Sequence, residues 1–177
     1  MSDASGSVPP DPMPAPGSSE DARLTHVDQR GAARMVDVSA KDVSVRTATA
    51  TGRVRVSAAV VALLRGEGMP KGDVLAVARI AGIQAAKRTP ELIPLCHPIA
   101  IHGVAVDVTV AEDAVEMTAT VRTADRTGVE MEALTCVAVA GLTVVDMVKA
   151  VDPAAMITDI RVESKTGGKS GEWHRPT

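Results

Sequence analysis

The stretch "IAIHGVAVDVTVAEDAVEMTATVRTA", from Ile99 to Ala124, decides the fold. Apolar and polar residues alternate over Ile99–Val110 and again over Ala114–Ala124. This alternation predicts two strands, because successive side chains of a strand point to opposite faces of a sheet. The residues between the two runs, "AED", predict a tight turn. We therefore expect an antiparallel hairpin at the centre of the chain.

The segments before the hairpin predict a strand and a helix. Val43–Ser57 also alternates and is long for one strand, so we expect a bulge near Gly52. Lys71–Thr89 has apolar residues at helical spacing. Asp73 is placed to cap its first turn, and Pro90 lies just beyond its end.

The segments after the hairpin repeat this pattern. Gly128–Val151 predicts a long apolar helix, and Met156–Lys165 predicts a closing strand. Ser57–Gly66 predicts one extra short helix, capped by its serine. Apart from that helix, the order is strand, helix, strand, strand, helix, strand. This order is typical of a ferredoxin-like α+β domain, in which helices pack on one face of an antiparallel sheet.

The length of 177 residues is that of a single domain with short extensions. Met1–Arg23 is rich in Pro, Ser, Gly and Asp and has too little apolar surface to order itself, so we expect a flexible tail. The expected ferredoxin-like domain covers residues 24–166. Residues 167–177 are expected to form a second flexible tail.

Composition argues against several classes of function. The net charge is −3, and the chain has no Phe or Tyr and a single tryptophan, Trp173, so a nucleic-acid binder is not expected. The longest uninterrupted apolar run, Ala133–Val145, is shorter than the roughly 20 residues that cross a bilayer. Because no apolar leader opens the chain, we expect a cytoplasmic protein with Cys96 and Cys136 reduced.

Charged residues interrupt the long apolar helix. Thr127 and Glu130 have the spacing of a capping box, which is one interpretation of Glu130. At about 100° per residue, Asp146 lies about 40° and Lys149 about 100° around the axis from Glu132. These three residues are therefore expected to share one polar stripe.

Two interpretations of this stripe stay open. The first is a solvated face with an ion pair between Asp146 and Lys149. The second follows from the apolar character of the rest of the helix, which suggests a cover on both sides, by the sheet and by another subunit. Glu132 and Asp146 are about 21 Å apart along the axis, so one small ligand cannot touch both from one chain. Antiparallel packing of two copies would join them in a composite site at a two-fold interface.

The remaining ionisable residues indicate the kind of ligand. Lys71, Lys149 and Lys165, together with the carboxylates and one histidine, suit an anionic phosphorylated small molecule handled by acid–base chemistry. Prolines flank Cys96 and His97 and hold them in place. The cysteine suits a small buried residue, and the histidine suits either loop packing or ligand contact. No set of residues has the spacing of a metal cage.

Several motifs closely resemble the molybdenum cofactor biosynthesis protein C family. They are "RMVDVSAK" (34–41), "KGDVLAVARIAGIQAAKRTPELIPLCHP" (71–98), "TGVEMEALT" (127–135), "DMVKAV" (146–151) and "KTGGKSG" (165–171). The resemblance runs from about Leu24 to Glu172. It implies a ferredoxin-like homohexamer, built as a trimer of dimers, with active sites at the dimer interface. It also implies a functional link to a radical S-adenosylmethionine enzyme that cyclises GTP.

The resemblance further implies a reaction and its residues. The family converts 3′,8-cyclo-7,8-dihydro-GTP to cyclic pyranopterin monophosphate and releases pyrophosphate. It uses no resident cofactor, although Mg²⁺ accompanying the triphosphate stays an alternative. Carried over, the catalytic positions are Asp146, Lys71 and Lys149. The substrate-binding positions are Leu95, Cys96, His97, Glu130, Met131, Glu132 and Lys165. Two other classes stay open, a ligand sensor without turnover and a scaffold for the upstream enzyme.

Overall fold

A computed structural model describes residues 25–28, 30–66, 73–169 and 171–176. The chain divides into two compact units, with the boundary between Arg34 and Met35. Among the described residues of the first unit, Val27 and Ala33 form an isolated β-bridge. The Asp28 carboxylate accepts hydrogen bonds from the backbone amides of Arg30 and Ala32 and so stabilises the turn between them.

The second unit is built on a five-stranded antiparallel sheet in the order β2-β3-β1-β4-β5. Its strands are β1 (Ser44–Arg55), β2 (Ile101–Val110), β3 (Ala114–Asp125), β4 (Met156–Thr166) and β5 (Trp173–His174). The first four strands have the order of a ferredoxin-like sheet, which confirms the predicted fold class. The predicted hairpin is β2 and β3, and the predicted turn joins them.

In the described part of the chain, four helices accompany the sheet: α1 (Ala58–Arg65), α2 (Val74–Ala86), α3 (Thr89–Leu92) and α4 (Glu130–Val148). As predicted, Asp73 caps α2, and its carboxylate accepts from the Ala76 amide at 2.9 Å. Ser57 stands at the N-cap of α1 but makes no side-chain cap. Its amide instead donates to the buried Asp152 carboxylate. Pro90 lies in the first turn of α3 rather than after a longer α2, because its missing N–H is harmless there.

The core lies between one face of the sheet and the packed pair α2 and α4. Its largest fully buried side chains include Val54, Met117, Val121, Val137 and Val144. Gly52 faces this core, and a Cβ there would lie 2.5 Å from Val137 Cγ1, so glycine lets α4 approach the sheet closely. The expected bulge is present, because the pairing of β1 with β4 shifts between Thr51 and Arg53.

Residues 167–177 were expected to form a flexible tail, but two of them belong to a strand. Trp173 pairs with Lys165 and His174 with Ser164, which makes β5 a short edge strand. The Arg175 amide donates to the Glu163 carbonyl at 2.8 Å and extends this contact. Backbone hydrogen bonds to β4, which composition does not reveal, fix this segment.

Candidate active site

The first turn of α4 carries three of the predicted site residues, Glu130, Met131 and Glu132. The capping-box interpretation of Glu130 is wrong, because Val129 is the N-cap and no side chain caps the helix. The Glu130 carboxylate instead forms an ion pair with the Lys165 ammonium at 2.9 Å. The helix thus joins the end of β4 through two of the predicted substrate-binding residues.

Glu132 is buried, with 3% of its surface exposed. Burial, with a smaller contribution from the charge of Glu130, raises the pKa of Glu132 from 4.5 to about 7, and a hydrogen bond to its own backbone opposes this rise. Glu132 therefore exchanges a proton near neutrality, as a general acid or base requires.

Leu95, Cys96 and His97 lie in the loop between α3 and β2, in the same compact unit as α4, and each is half-buried. Burial raises the pKa of the Cys96 thiol, and the charge of Glu132 adds to the effect. Cys96 therefore lies within electrostatic range of Glu132 and stays a neutral thiol. His97 donates from Nε2 to the Val36 carbonyl at 2.7 Å, which anchors its ring.

Lys165 leads into a glycine turn beside the first turn of α4. Gly167 and Gly168 have φ of +92° and +71°, and a Cβ at either would overlap the backbone of Val45 or the guanidinium of Arg46. Arg46 lines one cavity with Lys165, and its Nε donates to the Asp125 carbonyl at 3.0 Å. Sequence reasoning missed Arg46, since its only signal is a cation within an alternating strand. Two cations and one carboxylate, Glu130, line this cavity, so its charged side chains carry a net positive charge that suits an anion.

Asp146 and Lys149 lie at the other end of α4. Their side chains form an ion pair at 2.5 Å, and they are 63% and 59% exposed. Glu132 is buried whereas Asp146 and Lys149 are exposed, so the three residues do not form one solvated stripe within a single chain. The structure does not bring this pair together with Glu132.

The predicted catalytic residue Lys71 lies outside the described residues. Within residues 25–28, 30–66, 73–169 and 171–176, no group of three or more His, Cys, Asp or Glu side chains is arranged to hold a metal.

The helix α4 is long and apolar enough to cross a membrane by length and composition alone. Within the protein, 56% of its apolar window is buried. Its packing against β1, β3, β4 and α2 is that of a core helix in an α+β protein.

Fold and site together define a ferredoxin-like protein with two cations, Arg46 and Lys165, beside the first turn of α4. The same turn carries a buried carboxyl, Glu132, whose pKa is near 7. The MoaC family model matches residues 35–168. The chain belongs to the MoaC family, which confirms the resemblance carried by the motifs.

Relatives from three genera cover most of the chain. A cyclic pyranopterin monophosphate synthase of Streptomyces coelicolor is 72% identical over 161 residues, which are 90% of this chain and 95% of the relative. One from Nocardioides is 73% identical over 157 residues, 87% of this chain and 96% of the relative. Cyclic pyranopterin monophosphate synthase 2 of Mycobacterium tuberculosis is 62% identical over 152 residues, 86% and 91% of the two chains.

Proposed function

We propose that this protein is a cyclic pyranopterin monophosphate synthase of molybdenum cofactor biosynthesis. Identity of 72% over nearly the whole length of a relative with that name carries the proposal. The substrate is 3′,8-cyclo-7,8-dihydro-GTP, supplied by a radical S-adenosylmethionine enzyme, and the products are cyclic pyranopterin monophosphate and pyrophosphate. The reaction takes place in the cytoplasm.

The proposed chemistry is that of a phosphorus–oxygen lyase with acid–base steps. A substrate oxygen attacks the α-phosphorus, the bond to the β-phosphate oxygen breaks, and pyrophosphate leaves. Lys71 and Lys149 transfer protons during ring opening and closure, and Asp146 orients Lys149 through their ion pair. Arg46 and Lys165 stabilise the negative charge of the phosphates.

The other site residues position the purine-derived part of the substrate. In this proposal, His97, Cys96 and Leu95 contact one side of the purine-derived ring, and Met131 and Glu132 contact another. Burial of Glu132 supports this role, because a neutral carboxylic acid both donates and accepts hydrogen bonds.

A complete site needs two copies of the chain in this proposal. The cavity of Lys165 and Glu130 and the exposed pair at Lys149 lie at opposite ends of α4, which is about 28 Å long. Antiparallel packing of two α4 helices would place each end beside the other end of its neighbour. We assign a dimer with two composite sites, and a hexamer of three such dimers.

Mixed subunits test the composite site. A Glu132→Ala chain mixed with a Lys149→Ala chain produces mixed dimers with one intact site, so turnover should return to a fraction of wild type. The control mixes Asp146→Ala with Lys149→Ala, which come from the same end of α4 and leave no intact site. Equal inactivity of the two mixtures would show that each chain carries its own site.

A direct assay separates this function from its rivals. Purified protein is incubated with 3′,8-cyclo-7,8-dihydro-GTP, and pyrophosphate is measured. Binding without pyrophosphate release would indicate a sensor, and neither binding nor release would indicate a scaffold. The same assay in EDTA tests the alternative that Mg²⁺ accompanies the triphosphate, because turnover would then fall in EDTA and return when Mg²⁺ is added in excess.

A further inference from the structure

Asp152 is a buried carboxylate in the turn between α4 and β4. One of its oxygens accepts from the Ser57 amide at 2.6 Å, and the other accepts from the Ala154 amide at 3.0 Å. The first bond joins residues 95 positions apart in sequence and ends at the N-cap of α1. The carboxylate therefore ties the segment after α4 to the start of α1.

The backbone of Asp152 also closes the turn that carries Lys149, the C-cap of α4. The Val148 carbonyl accepts from the amides of Val151 and Asp152, both at 2.9 Å, so the chain turns immediately after Lys149. The Asp152 carbonyl then accepts from the Ala155 amide at 3.2 Å. Asp152 thus belongs to the turns on both sides of it, and its side chain connects them to another element.

The charge of Asp152 suits the start of α1. That helix has no acidic residue in its first turn, and Ser57 makes no side-chain cap. A carboxylate near the N-terminus of a helix is stabilised by the helix dipole, and a buried carboxylate needs hydrogen bonds to offset its loss of water. Asp152 therefore supplies from a distant element the negative charge that the sequence of α1 lacks.

The position of Lys149 depends on the backbone at the end of α4. Its side chain is 59% exposed and forms an ion pair with Asp146 of the same helix, so the pair follows any movement of the helix end. Displacement of a catalytic group by about 1 Å can reduce a rate about 10²-fold. An anchor immediately after Lys149 is therefore placed to affect turnover without contacting the substrate.

We propose that Asp152 is a positioning residue for Lys149. By binding the Ser57 amide it fixes the turn after α4, and this turn fixes the backbone from which the Lys149 ammonium reaches the substrate. The role of Lys149 rests on the proposed function, whereas the anchoring of the turn stands independently of it.

Hydrogen exchange of the Lys149–Ala155 segment, measured by mass spectrometry, tests the anchor. In Asp152→Asn an NH₂ group replaces one accepting oxygen, so one of the two side-chain bonds is lost. Ser57→Pro removes the bond to Ser57 from the other side, and the φ of −68° at Ser57 suits proline. We expect exchange in this segment to be about tenfold faster in both variants, with α2 unchanged. Unchanged exchange in both would overturn the proposal.

Turnover of the same two variants tests the positioning role. We expect kcat to fall about tenfold and KM to change little, because the phosphates are bound at the other end of α4. Adding Asp152→Asn to Lys149→Ala should cause no further loss, since no ammonium is left to position. Single-turnover pyrophosphate release with excess protein measures these low rates. An equal loss with and without Lys149 would show that Asp152 does not act through it, and would overturn the proposal.

The control is Val108→Ala, which truncates a buried side chain on β2. It should lower Tm without moving the turn after α4, so kcat below the Tm of all variants should be retained. If Asp152→Asn also retained its kcat, Asp152 would contribute to stability alone and the proposal would be wrong. Failure of wild-type protein to release pyrophosphate would instead contradict the proposed function, and hydrogen exchange would still decide the anchoring.

Discussion

The two ends of α4 carry the same kinds of residue in opposite environments. At the first turn, Glu132 is buried and Glu130 is paired with Lys165 from another element. At the last turn, Asp146 and Lys149 pair with each other and are largely exposed. The charged residues at the first turn of α4 are thus buried or paired within the same chain, whereas those at the last turn are exposed to solvent.

This contrast has an electrostatic meaning. A charge pair in water contributes little and is screened, while the same pair in a dry pocket interacts strongly. The electrostatic attraction between Asp146 and Lys149 therefore becomes strong only when another surface excludes water from the pair. The difference between the ends is the physical reason to place the proposed site between two chains.

Removal of Lys149 tests the exposed end and should have the largest effect. We expect Lys149→Ala to reduce kcat by about 10²–10⁴-fold, the range of a lost acid–base group, with little change in Tm because the side chain is exposed. Asp146→Asn should cause a smaller loss of kcat. Steady-state pyrophosphate release and thermal unfolding measure the two quantities.

The control for this experiment is Arg65→Ala, which removes a cation from the last turn of α1. It should leave kcat unchanged. If Lys149→Ala retained most of its turnover, the exposed end of α4 would have no part in the reaction.

Substitution of Glu132 tests the buried end through stability. The pKa of Glu132 is raised from 4.5 to about 7, so ionisation costs the folded state stability as the pH rises above 4.5, and the cost is complete above about 7. Glu132→Gln should therefore stabilise the protein at pH 8, by at most about 3 kcal/mol, and have little effect below pH 4.5. Chemical denaturation across this pH range measures the change.

The matched control is Glu112→Gln in the exposed β2–β3 turn, which should give a flat difference across the same pH range. A stability gain for Glu132→Gln that did not depend on pH would mean that the carboxyl is not ionising in a dry environment. The first turn of α4 would then be as hydrated as its last turn.

The Glu130–Lys165 pair tests the difference between the two ends of α4 through a smaller expected effect, a coupling energy. Both side chains are about one-third exposed, so we expect a coupling energy of roughly 0.2–1 kcal/mol in a double-mutant cycle of Glu130→Gln and Lys165→Met. The coupling should weaken at high salt. A coupling of zero at low salt would indicate that the pair is as hydrated as Asp146 and Lys149.

The two cysteines give the smallest expected effect, a difference in labelling rate. Burial raises the pKa of Cys136 to about 12 and also raises the pKa of Cys96, which is half-buried. We expect a maleimide to label Cys96 slowly in native protein and Cys136 only after unfolding. Mass spectrometry of labelled peptides distinguishes the two sites, and early labelling of Cys136 would contradict the packing of α4.

The elements of the fold were predictable because each depends on local pattern. Alternation over β2 and β3 and the carboxylate of Asp73 at the start of α2 are signals within a few residues of their effect. The bulge beside Gly52 was also predictable from a local signal, the unusual length of the alternating segment around it. These features needed no knowledge of the rest of the chain.

The features that sequence reasoning missed depend on distant partners. Glu130 fits a capping box by spacing, but Lys165, 35 residues later, binds it instead. Helical geometry places Glu132 and Asp146 on one side of α4, yet only tertiary packing decides which of them is covered. Arg46 was missed for the same reason, because its partner Asp125 lies far along the chain. The strand β5 pairs with the neighbouring β4 and was missed because it is only two residues long.

The edge strand β5 gives the molecule a built-in optical reporter. Trp173 is the single tryptophan of a chain without tyrosine, so it dominates the intrinsic fluorescence. It is paired directly with Lys165, and the Arg175 guanidinium stacks 5.7 Å from its ring centroid. Emission from this indole therefore reports on the strand edge next to the cation cavity rather than on the aliphatic interior, which is spectroscopically silent.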